Sequence, residues 1–401
     1  MSRNLSAALL LFAAFGPVHA ADDALLDSMD DLHFQQPKEK GKAELVEGKV
    51  GKAVRFSFDE GSRGAFCTSN LHGTPAWDKA AGLSFWVKGD GSDAFGGLQL
   101  IYDDDYAVRY DFAFPLKNKE WTKIVIPWRD LVPVLPGAKS NPLDPAGDNK
   151  PSRVSALWFG KWWYWGDYPA HSFAVDEIRL EDKIDLGPDY TPEGAPLARV
   201  LAKLKAGKPV TVVTMGDSLT DTHHWANREI SWPALLKDRI ASKYKSEVTI
   251  INPAIGGTQL RQNLVLIPTW LAKAPEPDLV TICFGGNDWD SGMRGKQFRE
   301  AYKDAADRIR RATKGKADVL ILTTVPAASR WGAVAELAEA CRLAAKDRKV
   351  GLADAEKAFL AAGEEEKERD KLYVKDRTHL SPAGHALMVQ AVLEAVEAGS
   401  R

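Results

Sequence analysis

Val210-Thr211-Val212-Val213-Thr214-Met215 runs into Gly216-Asp217-Ser218-Leu219, and this passage decides how the second half of the chain folds. A β-branched run too short for a helix, without polar residues at every second place, predicts a strand buried on both faces. The glycine and the polar pair behind it suit a tight strand-to-helix turn that exposes the serine hydroxyl. Outward from this passage the pattern repeats. Val248-Thr249-Ile250-Ile251 leads toward Gly256-Gly257, residues 279–284 lead to Gly285-Gly286-Asn287-Asp288, and residues 319–323 form a fourth apolar strand. Helical runs fill the gaps at residues 296–312, 333–346 and 382–398. In the first of these, Phe298, Ala301, Tyr302, Ala305, Ile309 and Ala312 recur at helical spacing. Such alternation predicts a mostly parallel sheet covered on both faces, with polar groups beyond the strand ends meeting in one crevice.

Upstream the periodicity changes. Residues 53–58, 83–87, 97–102, 123–126, 154–159 and 172–180 read as short strands without intervening helices, punctuated by Gly, Pro, Asp and Asn. A half-apolar sheet has to cover another, so this region is expected to be a two-sheet β-sandwich. Residues 186–200, rich in proline and glycine, read as a linker between two domains, 21–185 and 201–401. The first twenty residues read as a signal peptide: Arg3, an apolar run through Phe15, and a small residue at Ala20. This predicts a secreted or periplasmic protein, and Ala20 without a neighbouring cysteine argues against a lipid anchor. No later run approaches 18 apolar residues, so no stable membrane insertion is expected. The net charge of -2 gives no nucleic-acid footprint. Cys67, Cys283 and Cys341 give neither a disulfide framework nor metal-ligand spacing. Asp103-Asp104-Asp105 is a conceivable calcium ligand set, but adjacent acids in an extended chain point different ways, and a solvated hairpin tip is the better reading.

The chemistry lies in the second half. A serine hydroxyl needs a neighbouring base to take its proton, and Asp376-Arg377-Thr378-His379 supplies one. Asp376 and His379 fit on one turn, so the carboxylate can receive Nδ1–H and hold the tautomer whose Nε2 accepts from Ser218. Asp354 is the alternative acid. Gly257 can bring its N–H close to a developing oxyanion, Asn287 can offer its carboxamide, and Ser218 can add its own backbone N–H. His224, Trp225, Trp289, Asp290, Arg330 and Trp331 follow these blocks and are candidates for a substrate-binding rim. In the first half, the aromatic stretch around Trp158-Phe159 and Trp162-Trp163-Tyr164-Trp165 leaves three roles open: a glycan platform, packing between domains, or ordinary core.

The four blocks Gly216-Asp217-Ser218-Leu219, residues 252–257, Gly285-Gly286-Asn287-Asp288 and Asp376-Arg377-Thr378-His379 together resemble the SGNH hydrolases of the GDSL esterase and lipase family. The resemblance covers roughly residues 208 to 400. It implies a flavodoxin-like three-layer α/β/α sandwich, Ser218 as nucleophile, His379 as base, Asp376 as acid, and Ser218, Gly257 and Asn287 as oxyanion donors. It implies no metal or organic cofactor. Residues 51–56, 86–89 and 173–178 resemble galactose-binding-like jelly rolls, which include many carbohydrate-binding modules. The pairing is similar to two-domain carbohydrate acetylesterases, and the expected substrate is an acylated, chiefly acetylated, carbohydrate. A secreted lipase or lysophospholipase, an amidase or peptidase, and a glycan-binding protein with a vestigial hydrolase domain are the rival expectations.

Overall fold

The computed structural model describes residues 24–35, 40–135, 141–191 and 194–399; the expected signal segment, residues 1–20, lies outside them. The first half contains β1 (Leu25–Asp27), β2 (Gly41–Glu47), β3 (Lys52–Phe58), β4 (Ala65–Thr68), β5 (Gly82–Gly89) and β6 (Phe95–Tyr102). It continues with β7 (Asp105–Pro115), β8 (Thr122–Pro127), β9 (Val132–Pro133), β10 (Val154–Gly160) and β11 (His171–Glu181). One antiparallel sheet has the order β2-β3-β11-β5-β8, with β1 also on β11, and the other the order β4-β10-β6-β7-β9. The six expected runs lie within β3, β5, β6, β8, β10 and β11. Asp103 and Asp104, both with positive φ, turn the chain between β6 and β7, and Asp103 pairs with Arg153. No group of acidic, His or Cys residues able to hold a metal ion occurs among the described residues.

The sandwich closes on phenylalanine. Phe56, Phe66, Phe85, Phe114, Phe159 and Phe173 are all buried and stack or meet edge to face between the sheets. Each such burial stabilises by roughly 1.5–3 kcal/mol over exposure. The opposite face of the second sheet is unusual. Gln99 stands opposite Asp111 and Ile101 opposite Arg109 in register, and Gln99, Asp111 and Arg109 are all buried. Tyr164 Oη and Gln99 donate to the Asp111 carboxylate, and the Arg109 guanidinium lies 3.9 Å from the Trp162 ring centre.

That face is covered by the second half of the chain. Ala113, Val132, Val134, Tyr164 and Trp165 form one apolar cluster with Leu260, Leu264, Val265, Ile267 and Trp270. Arg308 donates to the carbonyls of Arg129 (2.6 Å) and Asp130 (2.8 Å), and Arg261 to that of Leu135 (3.2 Å). The aromatic stretch is therefore split. Tyr164 and Trp165 pack between the domains, Trp163 is exposed, and Trp158 meets the exposed Tyr106 on the surface.

The second half begins with α1 (Ala198–Lys205) and β12 (Val210–Gly216), followed by α2 (Trp232–Tyr244), β13 (Val248–Ile251), α3 (Leu260–Val265) and α4 (Ile267–Leu271). Then come β14 (Leu279–Cys283), α5 (Gly286–Asp290), α6 (Gly295–Ala312), β15 (Asp318–Leu322) and α7 (Ala335–Arg348). The chain finishes with β16 (Gly351–Ala353), α8 (Ala355–Ala362), α9 (Glu366–Asp370) and α10 (Pro382–Ala398). Helix α1 thus starts inside the segment 186–200 read as a linker; Leu197 is buried beside Val200 and Leu201. All pairings in this sheet are parallel, in the order β13-β12-β14-β15-β16. Counted within the domain that is 2-1-3-4-5, the flavodoxin-like order. Successive strand residues feed two apolar clusters. Val213, Met215, Val280, Ile282 and Ile321 join α6, α7 and the first domain, while Val212, Leu279, Cys283 and Leu320 join α1, α2, α8 and α10. Both faces are covered, which explains why the strands show no polar alternation.

Candidate active site

The candidate residues gather beyond the carboxyl ends of β12, β13 and β14, where the strand order reverses and a crevice forms. Ser218 leaves β12 on a turn rather than a helix: the first α-helix after it starts only at Trp232. The expected strand-to-helix turn is replaced by local polar bonds. The amides of Thr220 and Asp221 bond to the Asp217 carbonyl, and the Leu219 amide donates to the buried Asp217 carboxylate (3.0 Å). Burial pushes the Asp217 carboxyl up to about 6, against that hydrogen bond. Asn227 Nδ2 donates to the carbonyls of Ser218 and Asp221, both at 2.7 Å. Asn252 Nδ2 donates to Thr214 Oγ1 (2.8 Å) and the Thr220 carbonyl (3.0 Å). Asp217, Asn227 and Asn252 were not among the sequence candidates. Asn252, directly after β13, carried the one usable signal, a polar group at a strand end.

Across the crevice, His379 Nε2 lies 3.0 Å from Ser218 Oγ, and His379 Nδ1 lies 2.6 Å from Asp376 Oδ2. The other carboxylate oxygen of Asp376 accepts from the amides of Thr378 and His379, both at 2.9 Å. Partial burial opposes ionisation of Asp376, but the bonds from the His379 ring and the two amides outweigh it and hold the pKa below the ordinary carboxylate value. Neighbouring pairs fix this loop. Val374 N bonds to the His379 carbonyl, Arg377 pairs with Glu366 and Asp370, and Ser381 caps α10 through the Gly384 amide. Asp354, the alternative acid, is held elsewhere: Arg342 binds both its oxygens (2.9 and 2.7 Å) and it caps α8.

Asn287, the second residue of α5, donates one Nδ2 hydrogen to the Thr258 carbonyl (3.0 Å). A carboxamide has a second hydrogen, and Asn287 lines the cavity beside Ser218. Its neighbour Asp288 is buried and accepts from the Leu260 amide (3.1 Å), tying α5 to α3; burial pushes this carboxyl up to about 7. Gly257 has φ of +78°, a conformation that side chains rarely adopt, and is exposed. A Cβ on Gly256 would lie 3.2 Å from His224 Cδ2 and 3.7 Å from Ser218 Cβ, so the chain passes the serine closely here.

The candidate rim divides. His224 stacks on His379 with ring centres 4.4 Å apart, and the exposed Trp225 meets His379 edge-on at 5.5 Å. Burial, and then the His379 charge, push the His224 pKa down. Asp290 and Arg330 form a bidentate pair and line the cavity with Ser218 and Asn287. Trp289 carries the guanidiniums of Arg294 and Arg330 at 4.8 and 5.5 Å. Trp331 instead packs against Gly363, Arg369 and Tyr373. The cavity beside the serine is small, about 70 Å³, and bounded by Phe284, Thr324, Val325 and Val334.

A serine within hydrogen-bond reach of an aspartate-held histidine, at the ends of a 2-1-3-4-5 parallel sheet, defines the class: a serine hydrolase with an α/β/α fold. The model of the GDSL-like Lipase/Acylhydrolase family matches residues 214–387. The chain joins a GDSL/SGNH-type esterase domain, a carboxylic ester hydrolase, to an N-terminal β-sandwich of the jelly-roll kind. No curated protein sequence matches it significantly. Among solved structures, a lipase/acylhydrolase from Enterococcus faecalis is 23% identical over 47% of this chain and 96% of its own, with a TM-score of 0.40. A two-domain esterase active on acetylated mannans, co-crystallised with mannopentaose, is 22% identical over 51% of this chain and 54% of its own (TM-score 0.42). A family 11 carbohydrate-binding module from Clostridium thermocellum, in complex with a β-1,3-1,4-mixed-linked tetrasaccharide, is 19% identical over 40% of this chain and 96% of its own (TM-score 0.33).

Proposed function

We propose that the protein is a secreted or periplasmic serine esterase that removes short acyl groups, chiefly acetyl, from a polysaccharide or oligosaccharide. The observation that carries the mechanism is the line Asp376 Oδ2, His379 Nδ1, His379 Nε2, Ser218 Oγ, with contacts of 2.6 and 3.0 Å. As Ser218 Oγ bonds to the acyl carbon, its proton passes to His379 Nε2, and Asp376 stabilises the resulting imidazolium. The backbone N–H groups of Ser218 and Gly257 and the free carboxamide hydrogen of Asn287 receive the oxyanion. Collapse expels the sugar alkoxide, which takes the proton from His379. Water then repeats the sequence on the acyl-serine and releases the acid.

The size of the acyl side argues for a short chain. A cavity of about 70 Å³ is far below the roughly 300–1,000 Å³ of sites for drug-sized ligands. It suits an acetyl group and not a fatty acyl chain, so the lipase reading is the weaker one. The alcohol side is open and bears the exposed Trp225 ring next to His379, an amphipathic surface suited to a sugar face. The intact triad geometry disfavours a vestigial domain.

The test is to incubate the purified protein with acetylated xylan, other acetylated glycans and lysophospholipid micelles, and to measure acetate and fatty-acid release. Acetate from a glycan with little fatty acid is the expected result. Fatty-acid release with no glycan deacetylated rejects the proposal.

A further inference from the structure

The turn that follows Ser218 faces two ways. His224 and Trp225 lie against the His379 ring, while Asp221 and His223 line a second cavity, about 590 Å³, between the two domains. Asp221 ties the two together: its carboxylate accepts from the Gly256 amide (3.1 Å) beside the serine. The turn from Ser218 to Trp225 therefore stands between the serine and the cleft. The cleft's far wall comes from the first domain and includes Lys161 and Trp165, and its near wall includes Ile255, Trp270 and Lys273. Its volume is that of a ligand site rather than a packing defect.

Lys161 is the anomaly in this cleft. It is 97% buried, being 3% exposed, yet its ammonium has no hydrogen-bond or ion-pair partner among the described residues and lies 5.5 Å from the Trp165 ring centre. A largely desolvated cation that faces the cleft without a partner favours an anion beside it. The three carboxylates of the cleft lining, Asp93, Asp167 and Asp221, form no ion pair with Lys161. Asp221 accepts backbone amides through both oxygens, and Asp93 pairs with Lys117 (3.1 Å). Asp90, outside the cleft lining, accepts from the amides of Ser92 and Ser172. Asp167 is near enough to favour the charged lysine but forms no ion pair with it. Burial keeps His171, behind Lys161, neutral by pushing its pKa down to about 4. Lys273, a second cleft cation, is also unpaired among the described residues.

We propose that this interdomain cleft binds the sugar residues beyond the scissile ester, and that Lys161 selects glycans in which one of those residues carries a carboxylate, as a uronic acid does. The proposal rests on the glycan-esterase reading and deepens it. The first domain then acts as a wall of the substrate site, since the open face of its second sheet is already covered by the esterase domain.

The test uses the full chain and acetylated xylo-oligosaccharides separated by anion exchange into uronic-acid-bearing and neutral pools. Acetate release gives kcat/KM for each pool. The expected ratio favours the anionic pool by about tenfold, the effect of one charge-assisted bond in the low range. Lys161→Met is expected to bring the ratio close to one. On the wild type alone, burial pushes the Lys161 pKa down to about 8, against the pull of Asp167 and Asp90. The ratio is therefore full at pH 7 and falls as pH rises through about 8, and taking a ratio cancels the titration of His379 common to both pools. A wild-type ratio near one, a ratio unmoved in Lys161→Met, or a ratio flat to pH 9.5 overturns the role of Lys161. No acetate from either pool, with an aryl acetate still cleaved, rejects the glycan reading itself and the subsite with it.

Discussion

Asp376→Asn separates catalysis from folding in this site. The aspartate makes two kinds of bond. Oδ1 accepts from the amides of Thr378 and His379, and Oδ2 accepts from His379 Nδ1 at 2.6 Å. An asparagine can keep its oxygen on the two amides, which preserves the loop. Its NH2 group then faces Nδ1, and two donors cannot share a hydrogen bond. His379 escapes by moving its proton to Nε2, the atom that has to accept from Ser218 Oγ at 3.0 Å. The base is thereby presented in the wrong tautomer, and the charge that stabilises the imidazolium is gone. Where this has been dissected in a serine protease the loss in kcat is roughly 10⁴-fold, or about 5.5 kcal/mol of barrier. Asp376 is partly exposed, so water can replace some of the lost stabilisation, and a fall of about 10³–10⁴ is expected. The assay is the single-turnover rate of acetylation by an aryl acetate at pH 7.5, with thermal unfolding run alongside. A rate within tenfold of wild type refutes the assignment of Asp376. A large loss in Asp354→Asn alone would transfer the role to that residue, against its bidentate contact with Arg342.

Other substitutions test neighbouring parts. Asn287→Ala removes one oxyanion donor, so kcat is expected to fall about 10²–10³-fold with a smaller change in KM; a kcat near wild type contradicts the assignment. Gly256→Ala puts a methyl 3.2 Å from His224 Cδ2, and steady-state kinetics should show activity falling while the melting temperature moves little; unchanged kcat would show that His224 yields freely. Trp165→Ala opens a cavity in the cluster that both domains share, with an expected loss of about 3–5 kcal/mol in chemical denaturation. A loss under 1 kcal/mol would mean the domains are not energetically joined there. Asp288 is raised to about 7 by burial. The folded state then holds a proton that the unfolded state releases near pH 4, so this group's contribution weakens as pH rises from about 4 to 7. Asp288→Asn, which keeps an acceptor for Leu260 N, is expected to flatten that slope in melts across the range, and an unchanged slope rejects the buried-carboxyl account.

The alternation of buried strands and helices fixes the α/β/α class locally, because β14, for example, is buried at every position and has to be covered twice. Spacing also limits where the candidate groups can stand: Ser218 and Asn287 sit just beyond such strands, and Asp376 and His379 share one turn. The strand β7 was not legible. Its Arg109 and Asp111 break the apolar pattern, and only the second domain and the Trp162–Trp165 turn make those charged positions interior. Helix α1 was hidden for a related reason, since Leu197 gains its burial from distant residues and not from its proline-rich surroundings. Likewise Trp331 and Trp225 look alike as residues following a block. Trp331 is packed against Gly363, while Trp225 is left against His379 with its ring in solvent. Periodicity and spacing report what each segment has to bury and which groups are near in sequence. Which surface meets which, and therefore that Lys161 of the first domain and Asp221 of the second line one cleft, depends on contacts between distant residues, such as Arg308 with the carbonyls of Arg129 and Asp130, and these come only with the folded chain.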